Sequence, residues 1–183
     1  MTTLSRLAGR PSVAALAYTV AALVMTWPLA PGLAVDVPWD LGDSLLNMWI
    51  LSWDCEQLLA IARGDLGRNA TLFDGKIFYP APLTLAYSEH LFPQALQILP
   101  VYALTKNAIL SYNLLFLSTY VLSGVGTFLL VRELTCSGRA AFVGGLLFAF
   151  ASYRIPQAGH LQVLSSQWMP FALFGFTRYF NSG

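Results

Sequence analysis

Charge is what this chain lacks most: its 183 residues carry ten Lys or Arg and nine Asp or Glu, 10% of the total. Soluble domains average roughly 25%. Beside a hydrophobic fraction of 56%, that scarcity excludes an ordinary soluble domain and predicts an integral membrane protein. A net charge of +1 with no basic run and no basic helical face excludes nucleic acid as a partner. The two cysteines, Cys55 and Cys136, are far apart, and the topology below sets them on opposite sides of the bilayer, which excludes a disulfide or a cysteine metal cluster. No HExxH, no paired CxxC and no DxD is present, and no short repeat or low-complexity tract.

What is present is apolar runs at spanning intervals. At about 20 residues per crossing the length allows roughly four spans. The fold class expected is all-α, a polytopic helical membrane protein with interfacial helices in a long first outer loop. The first span is expected over residues 13–30, and Arg6 and Arg10 before it hold the N-terminus in the cytoplasm. A cleaved signal peptide with Gly32 and Ala34 at its cleavage site is the rival reading, against which stands an apolar core longer than roughly 7–15 residues. Residues 32–107 form the outer loop, with turn signals at Asn69, Asp74, Gly75, Pro80 and Pro82. Arg63, Arg68 and Lys76 lie in it, and a loop this long translocates largely regardless of charge. Leu91 to Leu104 is apolar but short, and carries Pro93, Gln94, Gln97 and Pro100. It reads as an interfacial or re-entrant helix, and counting it as a span is the alternative topology.

The second span is expected over 109–131, with Gly124 and Gly126 where a neighbouring helix approaches closely, and Arg132 and Arg139 mark the inner side. The third, 140–153, reaches spanning length only if residues as far as Tyr153 join it. The fourth, 167–180, runs inward to Arg178. The small number of spans and the close at FALFGFTRYFNSG are what an N-terminal fragment of a longer protein, or a truncated reading frame, would give.

The acids gather behind the first span. VDVPWDLGDSLLNMWILSWD, from Val35 to Asp54, holds four aspartates and three tryptophans. At about 100° per residue, Asp43, Asn47 and Asp54 fall within roughly 40° of one another on a helix, and Asp40 joins them if the helix begins early enough. Trp49 and Trp53, among Leu45, Met48 and Ile50, suit a helix lying at the headgroups. The plainer reading makes Asp40 an N-cap and Asp43 a first-turn acid favourable to the dipole. Two further polar clusters are expected on the outer side: YSEH, with Glu89 and His90, and YRIPQAGH, with Arg154 and His160. Three such clusters on one side of a nearly uncharged membrane protein point to a site. Singly, each has a plainer role: the histidines as interfacial hydrogen-bonders, Arg154 snorkelling to lipid phosphate, Glu89 capping a helix. Asp40, Asp43, Glu89 and His90 together would make an oxygen-rich site, so a divalent cation is a possible cofactor and no other is implied. Asn69 to Thr71 is a glycosylation sequon, relevant only in a eukaryotic secretory route.

A basic N-terminus, a first span, an aspartate-bearing outer loop, a span ending in VRELT and a short inner loop resemble the start of polytopic GT-C glycosyltransferases. GDSLLNMWILSWD, IFYPAPLTLAYSEH and YRIPQAGHLQVLSSQWMP resemble blocks of bacterial integral-membrane members, of the kind that includes the dolichyl-phosphate-mannose-protein mannosyltransferase and RgtA/B/C/D-like groups. The resemblance covers nearly the whole chain and rests more on topology than on a tight motif. It implies an inverting transferase of the bacterial cytoplasmic membrane, moving a sugar from a polyprenyl-phosphate donor to a lipid, glycan or protein acceptor at the outer face. An acidic residue of the first outer loop would be catalytic base or metal contact, with Asp43 the best match and Asp40 second. The family's adjacent acidic pair is absent, since Leu41 and Gly42 separate the two.

The chemistry asks for the same groups. An attacking hydroxyl must lose its proton, which a carboxylate in reach accepts, and a departing lipid phosphate gains charge that an arginine stabilises. Asp43 and Arg154 fill those roles, Glu89, His90 and His160 bind or orient substrate, and Trp39, Trp49 or Tyr87 stacks on sugar or prenyl surface. A non-catalytic membrane protein is the competing class: a scaffold, a degenerate transferase or a transporter segment. A transporter usually carries ionisable residues at mid-membrane, and these spans are almost free of them. A lone fragment would be inactive.

Overall fold

A computed structural model describes residues 10–65 and 71–181. Arg6, Arg68, Asn69 and the sequon lie outside them or straddle their edge. Every regular element among the described residues is helical. In chain order these are α1 (Pro11–Met25), α2 (Asp43–Ala62), α3 (Phe92–Thr105), α4 (Ala108–Thr135), α5 (Gly138–Ala149), a single turn α6 (Leu161–Leu164) and α7 (Trp168–Asn181), with 3₁₀ turns at Ala30–Gly32, Thr84–Ala86 and Ser152–Arg154. Only α4, with 28 residues, is long and apolar enough among them to cross a membrane. It extends further in both directions than the run 109–131 read from the sequence.

The helices end where the backbone forces them to, not where apolar composition ends. α1 stops at Met25, short of the expected Ala30, because Pro28 has no N–H to continue the ladder. At 15 residues it is about 22 Å long. α5 opens on Ser137, whose side chain accepts from the Ala140 N–H at 3.3 Å. It closes at Ala149, and the chain then turns through Ser152–Arg154 towards Pro156. Tyr153 therefore does not extend the third run, and α5 keeps 12 residues.

The residues fall into two compact units, one of 10–31, 116–158 and 163–181, the other of 32–65, 71–115 and 159–162. In the first, Ala14 and Tyr18 of α1, Phe128 of α4 and Ala141 of α5 form a buried core. Glycines let the helices meet there: a Cβ on Gly124 would lie 2.6 Å from the Tyr18 ring, and one on Gly126 3.1 Å from Pro170 and Phe171 of α7. The Tyr18 hydroxyl donates to the Phe142 carbonyl at 3.0 Å. The outside of this unit is apolar as well. Leu16, Val20 and Val24 follow one face of α1, Val143 and Leu147 one face of α5, and Leu173, Phe176 and Phe180 stand out from α7, all exposed.

In the second unit α2 packs along α3. Ile50, Leu51 and Cys55 from one and Ala95, Ile98 and Tyr102 from the other are buried. Pro93 occupies the first turn of α3, where no N–H is needed. Pro100 lies inside that helix. Glu56 of α2 accepts from Lys106 at 2.8 Å and from the Tyr102 hydroxyl at 3.1 Å, and the Lys106 bond holds its carboxyl below the usual range. Asn113, at the start of α4, donates to the Leu33 and Asp36 carbonyls at 2.9 and 2.7 Å, tying down the strand of chain that leads to α2.

Candidate functional site

The residues of the second unit that carry chemistry lie along α2. Its first residue is Asp43, so Asp40 stands outside the helix. Asp40 is not the N-cap: that position is Gly42, with no side-chain cap, and the Asp40 carboxylate instead accepts from the Gly42 N–H at 2.8 Å. This is an Asx turn, the local alternative that aspartate offers a backbone about to start a helix. Ser44, the next helical residue, donates to the Pro38 carbonyl at 3.1 Å.

Against this helix start lies the short segment 159–162. The Nε2 of His160 is 2.9 Å from Oδ2 of Asp43, with both side chains partly exposed, 40% and 53%. Asn47, one turn along α2, donates to the Gly159 carbonyl at 3.1 Å. Gly159 has little room: an added Cβ would lie 3.3 Å from Asp40 Oδ2 and 3.7 Å from Ser44 Oγ. Asp40, Asp43, Ser44 and His160 thus form one group around a glycine backbone. The Nδ1 of His160 is buried without a partner. With Nδ1 turned inward, His160 directs Nε2 at the carboxylate, and an Nε2–H donates to Asp43 Oδ2. Oδ2 is held, and Oδ1 of Asp43 is left for another donor.

Farther along the same face, Asp54 is buried and 3.5 Å from Nε2 of His90. Neither oxygen of Asp54 meets a donor in good hydrogen-bonding geometry. Burial pushes its carboxyl up to about 6, and the His90 ring and the Leu91 N–H oppose this without cancelling it. His90 sits beside Phe73, ring centroids 4.8 Å apart. Because the folded state holds the Asp54 proton more tightly than the unfolded chain, its contribution to stability is complete below pH 4 and is lost as pH rises through about 6. Chemical denaturation should therefore show the second unit weaker at pH 7.5 than at pH 4.5, by roughly 1–3 kcal/mol. Asp54→Asn should flatten that difference.

The remaining expected residues do not join Asp43. Glu89 is exposed and accepts from the Ser88 hydroxyl at 2.9 Å, and it caps no helix, since α3 begins at Phe92 with Leu91 before it. His90 belongs to Asp54. No hydrogen bond or ion pair among the described residues links either to Asp43 or His160. The oxygen-rich cluster of Asp40, Asp43, Glu89 and His90 is accordingly not assembled, and among the described residues no three His, Cys, Asp or Glu side chains are grouped to hold a metal ion. Trp49 and Trp53 stack on one another, centroids 5.9 Å apart, and the Trp53 indole donates to the Leu72 carbonyl at 3.3 Å. Each indole thus covers one face of the other. Trp39 and Tyr87 are exposed.

Arg154 lies in the first unit and is fully buried, not snorkelling. Its guanidinium donates to the Ser166 hydroxyl at 2.9 Å, the Thr119 hydroxyl at 3.3 Å and the Leu164 carbonyl at 3.0 Å, and stands 4.9 Å from the Tyr120 ring centroid. No carboxylate pairs with it among the described residues. Held this way, it binds together Ser152–Arg154, α4 and the chain before α7.

No family model, curated protein or solved structure matches this chain. The geometry of the site offers a solvent-facing carboxylate held by an imidazole, with a second carboxylate beside the same glycine.

Proposed function

We propose that this chain belongs to a membrane glycosyltransferase of the GT-C kind, in which Asp43 is the general base. The observation that carries the reading is the Asp43–His160 hydrogen bond, which joins the aspartate loop and the histidine of the third polar cluster at one exposed place. Support for the membrane setting comes from α4 and from the apolar outer faces of α1, α5 and α7. Contiguous exposed apolar surface of this kind belongs against lipid or another chain. In the proposed layout the chain is a polytopic helical protein of a bacterial cytoplasmic membrane, with its N-terminus cytoplasmic and sugar transfer at the outer face.

In the reaction, Oδ1 of Asp43 accepts the proton of the acceptor hydroxyl as the acceptor oxygen bonds to the anomeric carbon from the face opposite the leaving group. The bond from that carbon to the polyprenyl-phosphate oxygen breaks, and the electron pair leaves with the phosphate. His160 is a positioning residue: its Nε2–H keeps Oδ2 occupied, so one lone-pair direction of the carboxylate is aimed outward. Asp40 adds negative potential near the sugar, where an oxocarbenium-like centre gains positive charge. His160 holds one Asp43 oxygen and Gly42 one Asp40 oxygen, which leaves one oxygen of each carboxylate for substrate or a divalent cation.

The test is transfer of labelled sugar from synthetic polyprenyl-phosphate mannose, glucose and arabinose to endogenous acceptors, in membranes carrying the full-length protein. Transfer that disappears in Asp43→Asn supports the reading. Transfer equal to that of empty membranes with all three donors overturns it. The burial of Arg154 favours a second reading, a non-catalytic membrane scaffold, since it removes the arginine expected to meet the departing phosphate.

A further inference from the structure

The geometry points to a second site, a cleft in the second unit that binds a neutral oligosaccharide. It lies between the later turns of α2 and the segment 71–82, encloses about 630 Å³, and is lined by Trp53, Gln57, Asp74, Lys76, Tyr79 and Pro80 among others. That volume is in the range of small-molecule sites. Along α2, Trp53 is ten residues from Asp43, about 15 Å, so the cleft is separate from the Asp43–His160 pair. The inference does not depend on the transferase reading.

The far wall of the cleft is built, not loosely draped. Gln57 Oε1 accepts from the Thr71 N–H at 2.9 Å, and Trp53 holds the Leu72 carbonyl at 3.3 Å. Asp74 Oδ1 accepts from the Leu83 N–H at 3.1 Å, and the buried Thr84 hydroxyl donates to the Gly75 carbonyl at 2.7 Å. Gly75 is pressed so closely that a Cβ would lie 3.1 Å from the Trp49 ring and 3.0 Å from Leu85. Phe78 and Leu83 are held at φ 57° and 54°, conformations that bulky residues rarely adopt. A preformed wall of this kind lowers the ordering cost of binding.

The lining decides the ligand class. Trp53, Tyr79 and Pro80 offer flat apolar faces, on which the C–H face of a pyranose ring lies well. The Gln57 Nε2 is left to donate and the second oxygen of Asp74 to accept, one hydrogen bond each to sugar hydroxyls. Asp74 and Lys76 carry opposite charges, so the cleft has no net preference for an anion, which disfavours phosphates and nucleotides. Its polar groups equally disfavour a lipid chain. Tyr79 is 95% exposed, a ring standing free at the mouth with no packing role to explain it.

Saturation-transfer NMR on the full chain in detergent micelles, with maltotriose, cellotriose, mannotriose and chitotriose as probes, tests this. At least one probe should receive saturation. Tyr79→Ala, which removes a side chain that supports nothing, should weaken binding about fivefold or more. Asp74→Asn, which keeps the acceptor for Leu83, should weaken it similarly. The inference is overturned if no probe binds, if both variants bind as the parent does, if glucose 6-phosphate binds more tightly than every neutral probe, or if binding is lost in Asp43→Asn but kept in Tyr79→Ala.

Discussion

Arg154→Ala should destabilise the first unit by roughly 2–5 kcal/mol, the cost of a large cavity and of a buried carbonyl left without its donor. Three separate pieces of chain meet at its guanidinium: Thr119 on α4, Leu164 on α6 and Ser166 just before α7. Alanine would leave the Leu164 carbonyl without its donor, open a cavity the size of the side chain and remove the cation from the Tyr120 face. Thr119 would suffer least, because its hydroxyl already donates to the Phe116 carbonyl at 2.8 Å. Lysine should not rescue the loss, since one ammonium cannot reproduce a planar fork with two donor nitrogens aimed at three oxygens. Arg154→Met, which keeps most of the volume, should cost less than alanine. Denaturant titration in micelles, followed by near-UV dichroism, reads the difference. Should Arg154→Ala unfold within about 0.5 kcal/mol of the parent while raising the KM for a lipid-linked donor, the residue meets substrate and the structural assignment fails.

The contrast between Arg154 and Asp43 shows what can be read from the chain alone. Both were legible as polar residues in apolar surroundings, and the helix carrying Asp43, Asn47 and Asp54 on one face was legible from spacing, because a helical repeat is a local property. Burial is not local. Whether an arginine near an apolar run snorkels or turns inward depends on Thr119 and Ser166, which sequence spacing does not bring near it. The same holds for His90, whose adjacency to Asp54 is made by α2 packing on α3. The N-cap reading of Asp40 failed for a different reason. An aspartate three residues before another fits both an N-cap and an Asx turn, and the Gly42 N–H decided for the turn. Apolar runs overstated helix lengths in α1 and α5 because hydropathy continues through Pro28 and past Phe150, where the helical backbone bonds do not. The close approaches at Gly124 and Gly126 were readable in advance, since small residues in an apolar helix have few other uses.

Asp43→Asn should lower kcat for sugar transfer about 10²- to 10⁴-fold with little change in KM, the effect of removing a general base that acts only as the acceptor proton departs. Asparagine keeps the shape and an oxygen for His160 but cannot take the proton. Since Asp43 is half exposed and opens the helix, fold stability should change by less than about 1 kcal/mol, chiefly through the lost first-turn charge. His160→Gln separates positioning from proton transfer. Its amide N–H can still donate to Oδ2, so activity should fall much less, by about tenfold, whereas His160→Ala frees the carboxylate to rotate and should fall further. Acetate or formate added to Asp43→Ala should restore part of the rate if a carboxylate in that cavity is all that is missing. The order expected is parent, His160→Gln, His160→Ala, then Asp43→Asn. A reversed order, with His160 variants the more severe, would make the imidazole the base and Asp43 its support. Equal rates in all four would remove this pair from the reaction.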